Sequence, residues 1–259
     1  MTATDRRRRG AIAIAIAIAT IGFLLLAVRL GATGTTPVPL GAHGHWRLVF
    51  DEEFNSLNTS VWSTSRQGDG TVDPGFSPGE QECFDPAEAI VTGGSARLAL
   101  VAKPESCGGV HKRYAGAILT TVGRWSFTHG FLEARVWLPE PRGGVGDWPA
   151  VWAVGSNWPA GGELDVVEGS MGVACWHFHD PLGAPGACVS RVLAGAWHIF
   201  GADWEHGVVR WYYDGVEVGR VTHGVTNHPM SIILDLAADA GPVLAPALMR
   251  VDYVRVWQR

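Results

Sequence analysis

Several stretches of the chain alternate apolar and polar residues or form unbroken β-prone runs. They are Arg97-Leu98-Ala99-Leu100-Val101-Ala102, the run from Phe131 to Leu138, Val208-Val209-Arg210-Trp211-Tyr212-Tyr213, and the run from Met249 to Trp257. Successive side chains of a strand point to opposite faces, so a period of two predicts strands here. Asp214-Gly215, directly after Tyr213, is a hairpin-turn signal. No stretch beyond residue 45 carries a capped 3.6-residue period, so few helices are expected. Strands at short intervals without intervening helices predict an all-β fold, an antiparallel sandwich or jelly roll.

The N-terminus follows another pattern. Arg6 to Arg9 precede Gly10–Val28, a 19-residue run without a charged side chain that Arg29 ends. Residues 1–30 therefore read as a secretory signal peptide, or as an uncleaved membrane anchor, since 19 apolar residues also suffice to span a bilayer. Both readings place the rest of the chain outside the cytoplasm. Residues 31–45, rich in Gly, Thr, Pro and His, read as a linker, and 46–259 as one folded domain that holds all 12 tryptophans.

Composition narrows the class further. Charged residues make up 17% and apolar ones 47%, which excludes disorder for most of the chain. The net charge is −5, and residues 1–30 hold five Arg against one Asp, so the remainder is strongly acidic. No basic patch is left to neutralise phosphates, which argues against a nucleic-acid partner. Four cysteines in an oxidising compartment allow three pairings. The local one, Cys83 with Cys107 and Cys175 with Cys188, closes the shortest loops and is preferred. A metal site on Cys175, His177 and His179 is the competing reading, with little support from a single thiolate.

The stretch from Glu163 to Glu168, Glu163-Leu164-Asp165-Val166-Val167-Glu168, holds three acids among aliphatic residues. On a regular strand Glu163 and Asp165 share one face and Glu168 falls on the other. A β-bulge at Val166-Val167 would bring Glu168 back to the acidic face. Carboxyls crowded there repel, which raises at least one pKa. One ionised and one protonated carboxyl close together are what retaining glycosidic cleavage needs. Trp148, Trp152 and Trp158 precede them closely, and indole faces suit the C–H faces of sugars. A solvent-facing strand of acids is the bland alternative, and three nearby indoles speak against it.

These residues resemble the signature of glycoside hydrolase family 16, in particular its bacterial laminarinase-like branch. The core is Asn157-Trp158-Pro159-Ala160-Gly161-Gly162 running into Glu163-Leu164-Asp165-Val166-Val167-Glu168. Leu48 to Asn55 is similar to the family's first strand, Trp125 to Arg135 to the strand leading into the cleft, and Trp148-Pro149-Ala150-Val151-Trp152 to its W-P-A-x-W motif. Trp197 to Phe200 and Val251 to Val256 are similar to its closing strands. The resemblance covers about residues 46–259.

The resemblance implies a β-jelly roll of two curved antiparallel sheets with a substrate cleft on the concave face. It implies Glu163 as nucleophile, Glu168 as general acid and then base, and Asp165 as the residue that tunes and orients them. It implies endo-hydrolysis of a β-glucan, first of all at β-1,3 linkages, by a monomer that needs no cofactor for the chemistry. Trp148, Trp152, Asn157, Trp158, His177 and His179 are the substrate-binding candidates, His179 ahead of His177. A structural calcium would fall on Glu53, a carbonyl near Gly94, and Asp252. Glu82 stands where the family usually has Gln, and Asp235 where Asn is frequent. The alternatives are a non-catalytic glucan-binding protein on the same fold, and a member acting on mixed-linkage glucan, agarose or carrageenan, transglycosylation included. A serine hydrolase is excluded because Gly169-Ser170-Met171-Gly172 fails the nucleophile-elbow spacing.

Overall fold

A computed structural model describes residues 36–259 apart from 141–142, 171 and 239–240. The signal or anchor expected over 1–30, and the linker up to residue 35, lie outside the described residues. Residues 36–45 carry no regular secondary structure and lie against the domain: Trp257 Nε1 donates to Pro37 O at 2.7 Å, and Leu40 N donates to Glu133 Oε2 at 2.8 Å.

Eighteen strands follow among the described residues. They are β1 (Arg47–Glu52), β2 (Asp73–Pro74), β3 (Glu82–Phe84), β4 (Ala89–Thr92), β5 (Ser95–Leu100) and β6 (Glu105–Cys107). Next come β7 (Val110–Lys112), β8 (Tyr114–Thr120), β9 (Gly130–Trp137), β10 (Trp148–Gly155), β11 (Glu163–Ser170) and β12 (Val173–His179). The last are β13 (Gly186–Val189), β14 (Trp197–Glu205), β15 (Val208–Tyr213), β16 (Val216–Val221), β17 (Met230–Ala237) and β18 (Ala247–Gln258). Among the described residues the helical content is one 3₁₀ turn, Pro86–Glu88, and no helix is long and apolar enough to cross a membrane.

The strands form two eight-stranded sheets and a small β6–β7 hairpin. One sheet runs β16-β15-β14-β9-β18-β5-β4, with β1 also on β18; the other runs β13-β12-β11-β10-β17-β8-β3-β2. Pairing is antiparallel except between β3 and β8. This is the jelly-roll sandwich expected. The long β18 pairs with β9 along one edge and with β5 and then β1 along the other. The strand expected to lead into the cleft is β9, at the centre of the first sheet, so the chain crosses to the second sheet before reaching the acids. The turn at Asp214-Gly215 has φ of 50° and 79°, as a two-residue hairpin with right-handed strand twist requires.

The core lies between the sheets. From the second sheet it takes Val151 and Ala153 of β10, Leu164 of β11, and Ile232, Leu234 and Leu236 of β17. Their alternates, Trp148, Ala150, Trp152, Ile233 and Ala237, form a separate apolar cluster on the outer face. Both faces of β10 are therefore apolar, which blurs its period of two in the sequence. Trp204, Trp211 and Trp257 are fully buried from the first sheet; each such ring is worth roughly 3–5 kcal/mol against alanine.

The register of β11 breaks between Asp165 and Glu168 against β12, and opposite Val151/Trp152 against β10. This is the expected bulge, and it turns both Val166 and Val167 into the core. A bulge leaves backbone groups without ladder partners. The first sheet supplies them: Trp211 Nε1 donates to Asp165 O at 2.7 Å, and the Tyr213 hydroxyl bridges Val166 O (3.1 Å) and Cys175 O (2.9 Å). Both disulfides have the preferred pairing, and Cys175–Cys188 joins directly opposed residues of β12 and β13.

Tyr213→Phe removes one donor from two buried carbonyls. It is expected to cost about 1–3 kcal/mol, read as a lower urea midpoint with an unchanged m-value. A midpoint equal to wild type would show that the bulge does not depend on this hydroxyl.

Candidate active site

Alternate residues of β10, β11, β12 and β17 line one cleft of about 760 Å³ on the outer face of the second sheet. Glu163, Asp165 and Glu168 all face it, because the bulge reverses the alternation after Asp165. Trp148, Trp152, Asn157, Trp158, His177 and His179 line the same cleft. Trp158 is more than half exposed at the rim, whereas Trp152 is buried in the floor.

The register of β11 against β12 sets His179 opposite Glu163 and His177 opposite Asp165. Glu168 is held from both sides: Trp148 Nε1 donates to Oε2 at 2.8 Å, and His177 Nδ1 lies 2.5 Å from Oε1. His179 Nε2 stands 3.3 Å from Glu163 Oε1 and 3.0 Å from Asp165 Oδ2. The second contact is close but badly aligned, so Asp165 Oδ2 is buried without a hydrogen-bond donor. Gly186, opposite His177, leaves the room that ring occupies: a Cβ there would lie 2.1 Å from it.

The three carboxyls differ in their proton affinity. Burial pushes Glu163 up to about 8, with the Asp165 charge adding to it and His179 opposing. Asp165 is raised well above the carboxylate range, by burial first and then by Glu168. Burial also acts on Glu168, but the bonds from His177 and Trp148 outweigh it and hold this carboxyl below its ordinary value. His177 is raised by the same bond. Burial thus favours the protonated forms of Glu163 and Asp165, and the two donors favour the ionised form of Glu168.

A second group of acids lies beside the floor. Trp152 Nε1 donates to Asp235 Oδ1 at 2.6 Å, and Ala238 N donates to Glu82 Oε2 at 2.8 Å. Burial, then the bond and charge of Glu80, pushes Glu82 up to about 8. Burial likewise raises Asp235 well above the usual range. A protonated carboxyl offers one donor and one acceptor and so resembles an amide. This accounts for acids at the two positions where the resemblance leads one to expect Gln and Asn.

Sequence reasoning missed the loop that closes the cleft beside Trp152. Phe76 meets Trp152 edge-on at 4.9 Å, and the Arg66 guanidinium lies 4.1 Å over the Phe76 ring. Nothing in the local pattern around residues 66–77 marks these as cleft residues; the long-range fold of the loop puts them there.

Both acids expected to hold calcium carry ion pairs. Glu53 pairs with Arg255, and Asp252 Oδ2 accepts from Arg135 at 2.6 Å. Among the described residues, the groups of three or more close His and acid ligands lie in the cleft instead. Arginines thus face both carboxylates of the expected calcium set.

A two-sheet jelly roll with paired carboxyls and indoles along one open cleft has the build of a glycoside hydrolase. The family model described as "XgeA-like, catalytic GH16 domain" matches residues 126–174. The laminarinase catalytic domain of Thermotoga maritima superposes with a TM-score of 0.72 at 25% identity, covering 83% of this chain and 99% of that one. A beta-glucanase of Rhodothermus marinus is 24% identical over 83% of this chain and 86% of its own length. The clotting factor G alpha subunit of Tachypleus tridentatus is 28% identical over 82% of this chain, which spans only 34% of that relative's length. Over residues 126–174 the chain matches the catalytic domain of glycoside hydrolase family 16, and its described fold is similar to that of laminarinase catalytic domains.

The raised Glu82 carboxyl makes stability depend on pH. As pH rises from 4.5 towards 8, the unfolded chain releases this proton and the fold keeps it, so stability declines across that window and levels off above it. Glu82→Gln removes this contribution. Urea midpoints are expected to converge with wild type near pH 4.5 and to favour the variant at pH 8 by on the order of 2 kcal/mol. A variant equally or less stable at pH 8 would contradict a buried, protonated Glu82.

Proposed function

We propose that this protein is a retaining endo-glycosidase that hydrolyses β-glucan, first of all β-1,3-glucan. The observation that carries it is the bulge in β11, which sets Glu163 and Glu168 on one face of an indole-lined cleft. Glu163 attacks the anomeric carbon while Glu168 protonates the leaving oxygen; water activated by Glu168 then releases the glycosyl-enzyme. Asp165 lies between them, within 4.8 Å of a ligand atom of each neighbour group, and sets how the protons are shared. Trp148 and His177 aim Glu168, and Trp158 at the rim offers a face for a sugar ring. Relatives and neighbours named as beta-glucanase and laminarinase support this substrate. The apolar run at 10–28 and two disulfides support a place outside the cytoplasm, secreted or anchored.

These roles need a proton on Glu168 and none on Glu163, the reverse of what burial and the donors of Glu168 favour. Glu168 can take one from His177 across their 2.5 Å contact, and Glu163 can give its own up to water in the open cleft. Taken alone, the raised Glu163 and lowered Glu168 favour a second reading, in which Glu168 attacks and Glu163 is the acid.

Two variants separate these readings. Glu163→Gln is expected to lower release of reducing ends from laminarin by at least about a thousandfold, with folding intact by circular dichroism; near-wild-type release refutes the assignment. Glu168→Ala with added azide is expected to turn over an activated β-glucoside to the β-glycosyl azide. The α-azide would make Glu168 the nucleophile. A panel of β-1,3, mixed-linkage, β-1,4 glucans and galactans, with products identified by mass, tests the substrate: cleavage of galactans alone overturns the glucan reading.

A further inference from the structure

The cleft holds two histidine–carboxylate triads that share Asp165: Glu163, Asp165 and His179, and Asp165, Glu168 and His177. In each, the ligand atoms lie within 4.8 Å of one another. The two triads are not equivalent. In the second, His177 and Trp148 already bind both Glu168 oxygens. In the first, the three ligand atoms make no aligned hydrogen bond to one another. His179 Nε2 lies 3.0 Å from Asp165 Oδ2 and 3.3 Å from Glu163 Oε1, and Asp165 Oδ2 is buried with no hydrogen-bond partner although Asp165 is only 4% exposed.

Three ligand atoms converging without bonding each other are the mark of a place for a cation. Tetrahedral zinc, with bonds of about 2.0–2.2 Å, sets neighbouring ligand atoms roughly 3.4 Å apart. The two measured separations are close to that edge. An imidazole with two carboxylates suits zinc, whereas calcium and magnesium prefer oxygen alone. The cleft opens on the partly exposed His179, which gives the ion an entry and leaves its fourth position to water. Binding there displaces the protons that burial favours on Glu163 and Asp165, so the ion binds more tightly as pH rises.

We propose that Glu163, Asp165 and His179 form a binding site for one zinc ion, which blocks the cleft by occupying Glu163. The site follows from ligand geometry alone; the block rests on the role proposed above for Glu163. Zinc and the sugar then compete for the same groups.

The test is calorimetric titration of the full chain, stripped with EDTA, with zinc chloride. One ion per chain is expected in the cleft. His179→Ala should weaken it on the order of tenfold or more, and His177→Ala by clearly less. A β-1,3-glucan oligosaccharide should suppress it. Titration of Glu163→Gln, which removes one of the three ligands, should also weaken binding. No binding below millimolar zinc, or binding that survives His179→Ala unchanged, overturns the site. Equal losses in the two histidine variants overturn the choice of triad. Laminarin hydrolysis measured in EDTA keeps the two proposals apart: hydrolysis without zinc binding removes the metal site only, and zinc binding without hydrolysis removes the enzymatic reading only.

Discussion

The cleft depends on one local irregularity, the two-residue bulge at Val166-Val167, and on the side chains that stabilise it from behind. A strand of regular pleat would send Glu168 into the core beside Leu164. The bulge instead sends both valines inward and returns Glu168 to the cleft. Its backbone carbonyls would be orphaned inside the sandwich, at a cost comparable to a lost buried hydrogen bond. Trp211 and Tyr213, successive core-facing positions of β15, donate to them across the core. The packing of the two sheets and the spacing of the acids are thus one feature.

Electrostatics follows from that placement. Three carboxyls in a half-closed cleft cannot all ionise cheaply, so the protein divides them by neighbour. Glu168 has an indole and an imidazole donating to it and stays ionised. Glu163 and Asp165 have a histidine nearby but no comparable pair of donors, and burial favours their protonated forms. The same logic recurs with Glu82 and Asp235, which stay neutral beside the floor and hold Ala238 and Trp152. The cleft is acidic in composition and much less so in charge.

Much of this was legible in the residues. The strands at 97–102, 131–138, 208–213 and 249–257 were readable because one face packs on the core and the other does not, and all four fall within or beside observed strands. The bulge was readable because Glu163, Asp165 and Glu168 cannot share a face without it. The local disulfides were readable from loop length. Arg66 and Phe76 were not, since only the path of a long loop brings them to Trp152. The arginines beside Glu53 and Asp252 were not legible for a related reason: they come from other strands, β18 and β9, and a local motif does not show which side chain faces a carboxylate.

The division has a physical cause. Alternation, turn chemistry and the acid spacing act between residues near in sequence, so the chain alone determined an all-β class, a cleft-facing acid strand and its aromatic company. Which acid keeps its proton, which histidine faces which carboxyl and what fills the floor depend on register between strands and on burial. Those are set by contacts between residues far apart in the chain, and only the folded sandwich decides them.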